Sequence, residues 1–138
     1  MPIDYGGVVV DFNFAPFDML VVRASLGEAI EALAGAAVQR LPVTLAGQPN
    51  VFEILNICQR VPCVDEERSS YVRWTDADGR PDKVGQFRYF KRLRVDSALA
   101  QGHHLFRIAE WSIVPIASRQ MKDVIERAGA TGVAFEPV

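Results

Sequence analysis

The 138-residue chain, with 49% hydrophobic and 23% charged residues, has the balance of one globular domain able to bury a core without disulfides or a structural metal, which excludes disordered and fibrous classes. Its formal net charge of -2 supplies no global field for nucleic acid or an anionic membrane. Cys58 and Cys63, the two cysteines, are too few for a disulfide scaffold and read as reduced, buried structural thiols. The opening Met1 to Gly7 carries an acid at Asp4 and lacks the basic head and apolar run of a secretory signal. No apolar stretch approaches the roughly 18 residues of a membrane-spanning helix, so the expected setting is cytoplasmic.

In chain order, Gly6-Gly7 reads as a turn before a strand at Val8-Val9-Val10. Met19-Leu20-Val21-Val22 reads as a strand, followed by a helix over about 25–36 in which Leu26, Ala29, Ile30, Leu33 and Ala37 share one face. Ser25 and Glu28 stand in the S-x-x-E relation of a capping box, and Gly35 marks the helix end. A strand-like stretch then closes on Pro42-Val43. Val51 to Cys58 is rich in branched and aromatic residues and reads as a further strand.

Tyr71 to Thr75 and Gly85 to Val95 flank Asp76-Ala77-Asp78-Gly79-Arg80-Pro81-Asp82, whose Asp-Gly and Pro-Asp pairs are turn chemistry, so the three pieces form a hairpin. Leu93 and Val95 alternate with Arg92 and Arg94 as on a half-exposed strand. Leu105 to Ala109 and Ser112 to Ile116 give two more strands, broken at Glu110-Trp111. A second helix over about 118–128 places Met121, Val124, Ile125 and Ala128 on one face, with Ser118 as its cap and Gly129 as its left-handed stop. A strand-like stretch ending Pro137-Val138 completes the chain. The two ends thus share a strand, capped helix, strand order, from internal duplication or from convergent β-α-β grammar. The expectation is one α+β domain over 1–138, with a mostly antiparallel or mixed sheet and two amphipathic helices packed on it.

Charge is uneven in the middle of the chain. From Asp65 to Asp78 five acids (Asp65, Glu66, Glu67, Asp76, Asp78) face two bases (Arg68, Arg73), and from Gly79 to Arg94 six bases face one acid. Cross-strand pairing on the solvated side of the hairpin explains both blocks, and a partner-binding surface is the competing reading. Catalytic constellations are scarce. His103 and His104 are adjacent and on a strand point to opposite faces, and Cys58 and Cys63 have no further ligand beside them, so neither pair makes a metal site. Gly6-Gly7 leads into no phosphate-binding glycine pattern. The expected protein is not an enzyme and uses no cofactor. Phe87-Arg88-Tyr89-Phe90-Lys91-Arg92 interleaves bases and aromatics, which keeps open a small-ligand or nucleic-acid-binding module on strand 88–94.

Ile54-Leu55-Asn56-Ile57, Asp65-Glu66-Glu67-Arg68-Ser69, Leu105-Phe106-Arg107-Ile108, then Ser118 with its helix and Ala130-Thr131-Gly132-Val133-Ala134-Phe135-Glu136-Pro137 form an ordered set. That set resembles immunity protein family 11 of bacterial polymorphic toxin systems, over about Met19 to Val138 and most firmly from His104 onward. The resemblance implies a small cytoplasmic protein that binds a cognate protein toxin and protects the producing cell, with no cofactor, no membrane and no expected nucleic-acid partner; self-association is left open. It also implies structural work for Asp65 and Ser69 in a turn, Phe106 in the core and Gly132 at a tight backbone. The N-terminal extension of some members is short here. Recognition residues are then chosen by chemistry: the acids Asp65, Glu66, Glu67, Asp76 and Asp78, which also suit mimicry of nucleic acid toward a nuclease toxin, and Tyr71, Trp74, Tyr89 and Trp111 as aromatic anchors whose alternative is core packing.

Overall fold

Branched and aromatic runs favour strands, and a computed structural model describing residues 9–47 and 51–138 arranges nine strands in three sheets. The first sheet contains β1 (Phe12–Ala15), β2 (Met19–Arg23), β3 (Val38–Val43) and β4 (Phe52–Ile57), in the order β1-β2-β4-β3 and antiparallel throughout. Opposed residues of an antiparallel pair share a face, so the pairs Phe12 with Val22, Leu20 with Leu55 and Val38 with Ile57 all point the same way. On that face lie α1 (Ala24–Ala34) and α2 (Arg119–Arg127), whose Leu26, Ile30, Met121 and Ile125 complete the first core. The expected α+β class holds.

β2 runs straight into α1, and this overturns the Ser25 capping box. Arg23 occupies the cap position with extended geometry and no side-chain cap bond. The Ala24 N–H is met instead by the Val51 carbonyl at 3.1 Å, so Ser25 is left exposed inside the first turn. Gly35, at φ 58°, ends the helix at Ala34, and Ala37 falls in the short 3-10 turn that follows. In α2 the expected cap is present: Ser118 Oγ accepts the Met121 N–H at 3.1 Å. Gly129 takes the left-handed stop, and Ala128 lies just past the helix, exposed.

One acid sits inside this core. Glu53 faces α1 beside Val22 and is held by Arg40, whose Nε lies 2.6 Å from its Oε1. There is room for that carboxylate only because position 27 of α1 is glycine: a Cβ there would fall 1.9 Å from Glu53 Oε1.

The C-terminal segment departs from expectation, since residues 130–138 form no strand. Its backbone meets β1 through a single strand-like bond, Phe12 N–H to Thr131 O at 3.0 Å, and otherwise docks by side chains, with Val133 and Phe135 against the first core. Asp11 fastens it by accepting from the Thr131 N–H and hydroxyl and from Arg23 Nε. Gly132, at φ 86°, passes so close to β1 that a Cβ would meet the Phe12 carbonyl at 2.3 Å, the tight backbone expected of it. The strand, helix, strand order therefore holds at the first end of the chain and fails at the second.

The remaining strands are β5 (Arg60–Val61), β6 (Ser70–Arg73), β7 (Phe87–Arg92), β8 (Leu105–Ile108) and β9 (Trp111–Ala117). β8 lies between a parallel β5 and an antiparallel β9, while β6 and β7 form the expected hairpin as a separate two-stranded sheet. A second core gathers Val61, Cys63, Phe106, Ile108 and Ile116. β7 stops at Arg92, short of the expected Val95, because Leu93 and Val95 turn into that core and Ser69 Oγ takes the Arg94 N–H at 2.8 Å. The break between the last two strands lies at Ala109-Glu110, so Trp111 opens β9. The first strand begins at Phe12, with Val9 and Val10 outside it; the Gly6-Gly7 turn lies outside the described residues. No helix among the described residues is long and apolar enough to cross a membrane.

Two stability measurements test this packing. Gly27→Ala gains about 1 kcal/mol of helix propensity but displaces a paired, buried carboxylate, a disruption of about 3 to 5 kcal/mol. A net loss of about 2 to 4 kcal/mol is expected in urea denaturation. The Arg23 side chain and then the Thr131 backbone N–H hold the Asp11 carboxyl below its usual value. A depressed folded-state value stabilises above the unfolded value and is lost as pH falls through the folded one. The melting temperature of the wild type should thus fall more steeply below about pH 4 than that of Asp11→Asn.

Candidate functional site

Turn chemistry in Asp65 to Ser69 builds the base of the candidate surface. Asp65 Oδ1 accepts the Arg68 N–H at 3.1 Å and its carbonyl accepts the Ser69 N–H at 3.0 Å, while Ser69 Oγ bonds both ends of Arg94. Asp65 and Ser69 therefore organise a turn, as expected, and Phe106 is a core residue at 2% exposure. From this base the β6–β7 hairpin rises with two unlike faces.

Its inner face is aromatic. Tyr71 meets Phe87 edge-on with centroids 5.0 Å apart, and Phe90 packs between Phe87, tilted at 4.7 Å, and Trp111, edge-on at 4.8 Å. Arg73 lies over the Phe87 ring at 4.2 Å and reaches two carboxylates, Glu66 and Glu110, tying the hairpin to the turn below it and to the β8–β9 turn. Tyr71 and Trp111 are thus half-buried in packing. The Trp111 indole Nε1 is buried with no hydrogen-bond partner among the described residues.

The outer face presents Val72 opposite Tyr89, which is 52% exposed. Near the hairpin's far end Trp74 is covered by two cations, Arg88 at 4.8 Å and Lys83 at 5.3 Å from its ring. Asp78 accepts from the Thr75 N–H and hydroxyl and pairs with Arg88 at 2.8 Å. The Thr75 backbone bond first, then its hydroxyl and the Arg88 guanidinium, hold the Asp78 carboxyl below the usual range.

Of the five acids, Asp65, Glu66 and Asp78 are therefore engaged by Arg68, Arg73 and Arg88. Glu67 and Asp76 are exposed and make no ion pair among the described residues. Asp78 with Arg88 is the one ion pair among the described residues that joins the acidic block to the basic one; Asp65 and Glu66 pair inside the acidic block, with Arg68 and Arg73, so its excess of acids stands. On strand 88–94 Arg88 pairs with Asp78, while Arg92 Nε and Arg94 bond the Arg68 and Leu93 carbonyls and, like the exposed Lys91, make no ion pair among the described residues.

Elsewhere, Cys63 is fully buried and burial raises its thiol, the state of an inert core residue. Cys58 is exposed, contrary to expectation, because the chain leaves the sheet one residue after β4 ends. His104 Nδ1 lies 2.9 Å from Ser118 Oγ, and His103 packs edge-on to Phe106. Among the described residues no group of three His, Cys, Asp or Glu side chains is placed to hold a metal ion.

These features define an α+β domain whose reactive side chains are dispersed while aromatic and charged groups converge on one projecting hairpin. Residues 13–138 match the model of the immunity protein family Imm11, and the chain belongs to that family. No curated protein matches it.

The Arg73 contacts give a test of how the hairpin is held. Arg73→Lys keeps the charge but loses the planar stacking and the two-carboxylate reach. A stability loss of about 1 kcal/mol is expected, with weaker near-ultraviolet circular dichroism from the Tyr71, Phe90 and Trp111 cluster.

Proposed function

We propose that the chain is a bacterial immunity protein that binds the toxin of a polymorphic toxin system and holds it inactive by protein–protein contact, in the cytoplasm and without catalysing a reaction. The observation that carries this reading is the match of residues 13–138 to the immunity protein family. Neutralisation by contact needs a rigid surface with a few aromatic or arginine anchors ringed by polar groups. The β6–β7 hairpin supplies those types: Tyr89 and Trp74 as anchors, Glu67 and Asp76 as uncommitted acids at the rim, and a base fixed by Arg73. Tyr71 and Trp111 support it from behind, and Asp65, Glu66 and Asp78 hold its shape. The pairing of Arg88 with Asp78 takes one cation from the alternative nucleic-acid module on strand 88–94, and the net charge of -2 gives that alternative no wider field.

Co-expression with the toxin domain encoded beside its gene is expected to restore growth; toxicity that persists at equal expression would reject the proposed function. Replacing Trp74 and Tyr89 together with alanine should weaken binding of that toxin by about tenfold or more. Affinity that does not move would reject this face while leaving the function standing.

A further inference from the structure

β1 and β2 are joined by Pro16, Phe17 and Asp18, with the Met19 N–H returning to the Pro16 carbonyl. Phe17 and Asp18 both have positive φ, at 63° and 57°, the only non-glycine residues to do so among those described. Tight hairpin turns with this sign pattern ordinarily take Asn-Gly, because a Cβ in the left-handed region is strained. Here the first of the two positions carries a phenylalanine that is 97% exposed. A large apolar ring held in a strained conformation, touching almost nothing of its own chain, has no role in folding that the structure displays, and such outliers cluster at functional sites, ligand clamps among them.

Behind the tip lies a trough of about 430 Å³ whose walls include Phe17, Leu41, Ile54, Asn56, Arg60 and Arg107. Leu41 is 40% exposed. Arg60 and Arg107 stand directly opposite each other in the β5–β8 ladder, and like charges at such positions repel. Neither makes an ion pair among the described residues. Arg107 spends three donors on carbonyls, those of Ser112, Ile113 and Asp18, the last at 2.8 Å. A guanidinium has five N–H groups, so two remain. Burial lowers the Arg107 guanidinium below its ordinary value; the Asp18 carboxylate opposes this and Arg60 adds to it. Asp18 is thus the acid nearby, and it does not reach ion-pair distance.

Size also argues for a contact beyond the β6–β7 hairpin. Strands of up to six residues give a face about 20 Å long and about 10 Å wide, well short of the roughly 800 Å² that each partner contributes to a standard interface. The two places are physically connected. Arg73 ties the hairpin to Glu110, Trp111 meets Phe90 edge-on, and Arg107 links the Ser112 and Ile113 carbonyls to Asp18. Ile113, between them, is exposed.

We propose that the β1–β2 tip is the principal anchor for the toxin: Phe17 enters an apolar pocket of the partner, and Arg60 with Arg107 receives a carboxylate carried on an adjoining apolar segment of it. The inference rests on the toxin-binding reading above and adds the place and the chemistry of the contact.

The test uses the full chain, its Phe17→Gly, Phe17→Ala and Arg60→Glu variants, and the toxin domain encoded beside its gene. Phe17→Gly relieves the positive φ, so its melting temperature should rise by a few degrees while affinity for the toxin falls about thirtyfold or more. Opposite movement of stability and binding is a signature that a structural role does not produce. Phe17→Ala should lose binding similarly with little thermal change, and Arg60→Glu should lose about tenfold or more and respond less to salt. Variants that bind as tightly as a wild type that itself binds would overturn the anchor alone. A wild type with no affinity for the toxin would overturn the parent reading as well. Binding of a short single-stranded oligonucleotide that Arg60→Glu abolishes, with toxin binding untouched, would assign the trough to phosphate and also overturn the proposal.

Discussion

The pairing of Glu53 with Arg40 beneath α1 is the constraint on which the first half of the molecule depends. A carboxylate taken out of water is tolerated only when it is paired and bonded, so the position of α1 over the sheet is set by the one helical residue with no side chain, Gly27. With α1 fixed there, β2 has no slack, because the helix starts at the residue after the strand ends. α2 then packs beside α1, and the chain leaving it crosses β1 at Gly132 and Asp11. β1 is therefore clamped at its base, and its far end carries the Phe17 tip. A buried ion pair, a glycine and a C-terminal tail together fix where an exposed aromatic ring stands.

The second half relies on a different device. Its core is small, and the β6–β7 hairpin is held less by strand pairing, since it has two strands only, than by Arg73 and the rings beneath it. A two-stranded sheet is marginal without such support. Ion pairs at exposed positions add little stability each, so the Arg73 and Arg88 pairs matter chiefly as geometry: they orient Trp74 and hold the hairpin upright over the Asp65 turn. The two halves meet where Leu105 of β8 enters the first core and Arg107 bonds the Asp18 carbonyl. Both exposed elements proposed to touch the toxin are thereby mounted on one rigid frame, and rigidity limits the entropy lost on binding.

How much of this could be read from the sequence depended on whether local grammar had a competitor. Ser118 and Gly129 delimit α2 as their types require, and the Asp-rich, Gly-containing loop made the β6–β7 hairpin legible, because nothing nearby offers those backbone groups another partner. Ser25 failed as a cap for the opposite reason: β4 approaches from outside the local window and its neighbour Val51 supplies the acceptor first. The Val133 and Phe135 alternation looks like a strand, yet a strand needs an edge to pair with, and β1 offers that tail one bond. Residue type alone makes Cys58 a buried thiol, while its place one residue beyond the sheet decides otherwise. Residue chemistry picks out the hairpin aromatics, but Tyr71 and Trp111 turn inward, and a sequence does not tell the faces of a bulged strand apart. Phe17, Arg60 and Arg107 were missed altogether, since a lone Phe before Asp carries no periodic signal, and the Arg60 and Arg107 juxtaposition comes from a parallel pairing across 47 residues of chain.

The proposed action by occupancy, with no bond made or broken, has a direct signature in stoichiometry. Titrating the purified chain into a fixed amount of its toxin, well above the dissociation constant, should lower toxin activity linearly to zero at a fixed small molar ratio, with recovery when the chain is removed. Loss of activity that continues with time at a small fraction of that ratio, or that persists once the chain is gone, would contradict the account.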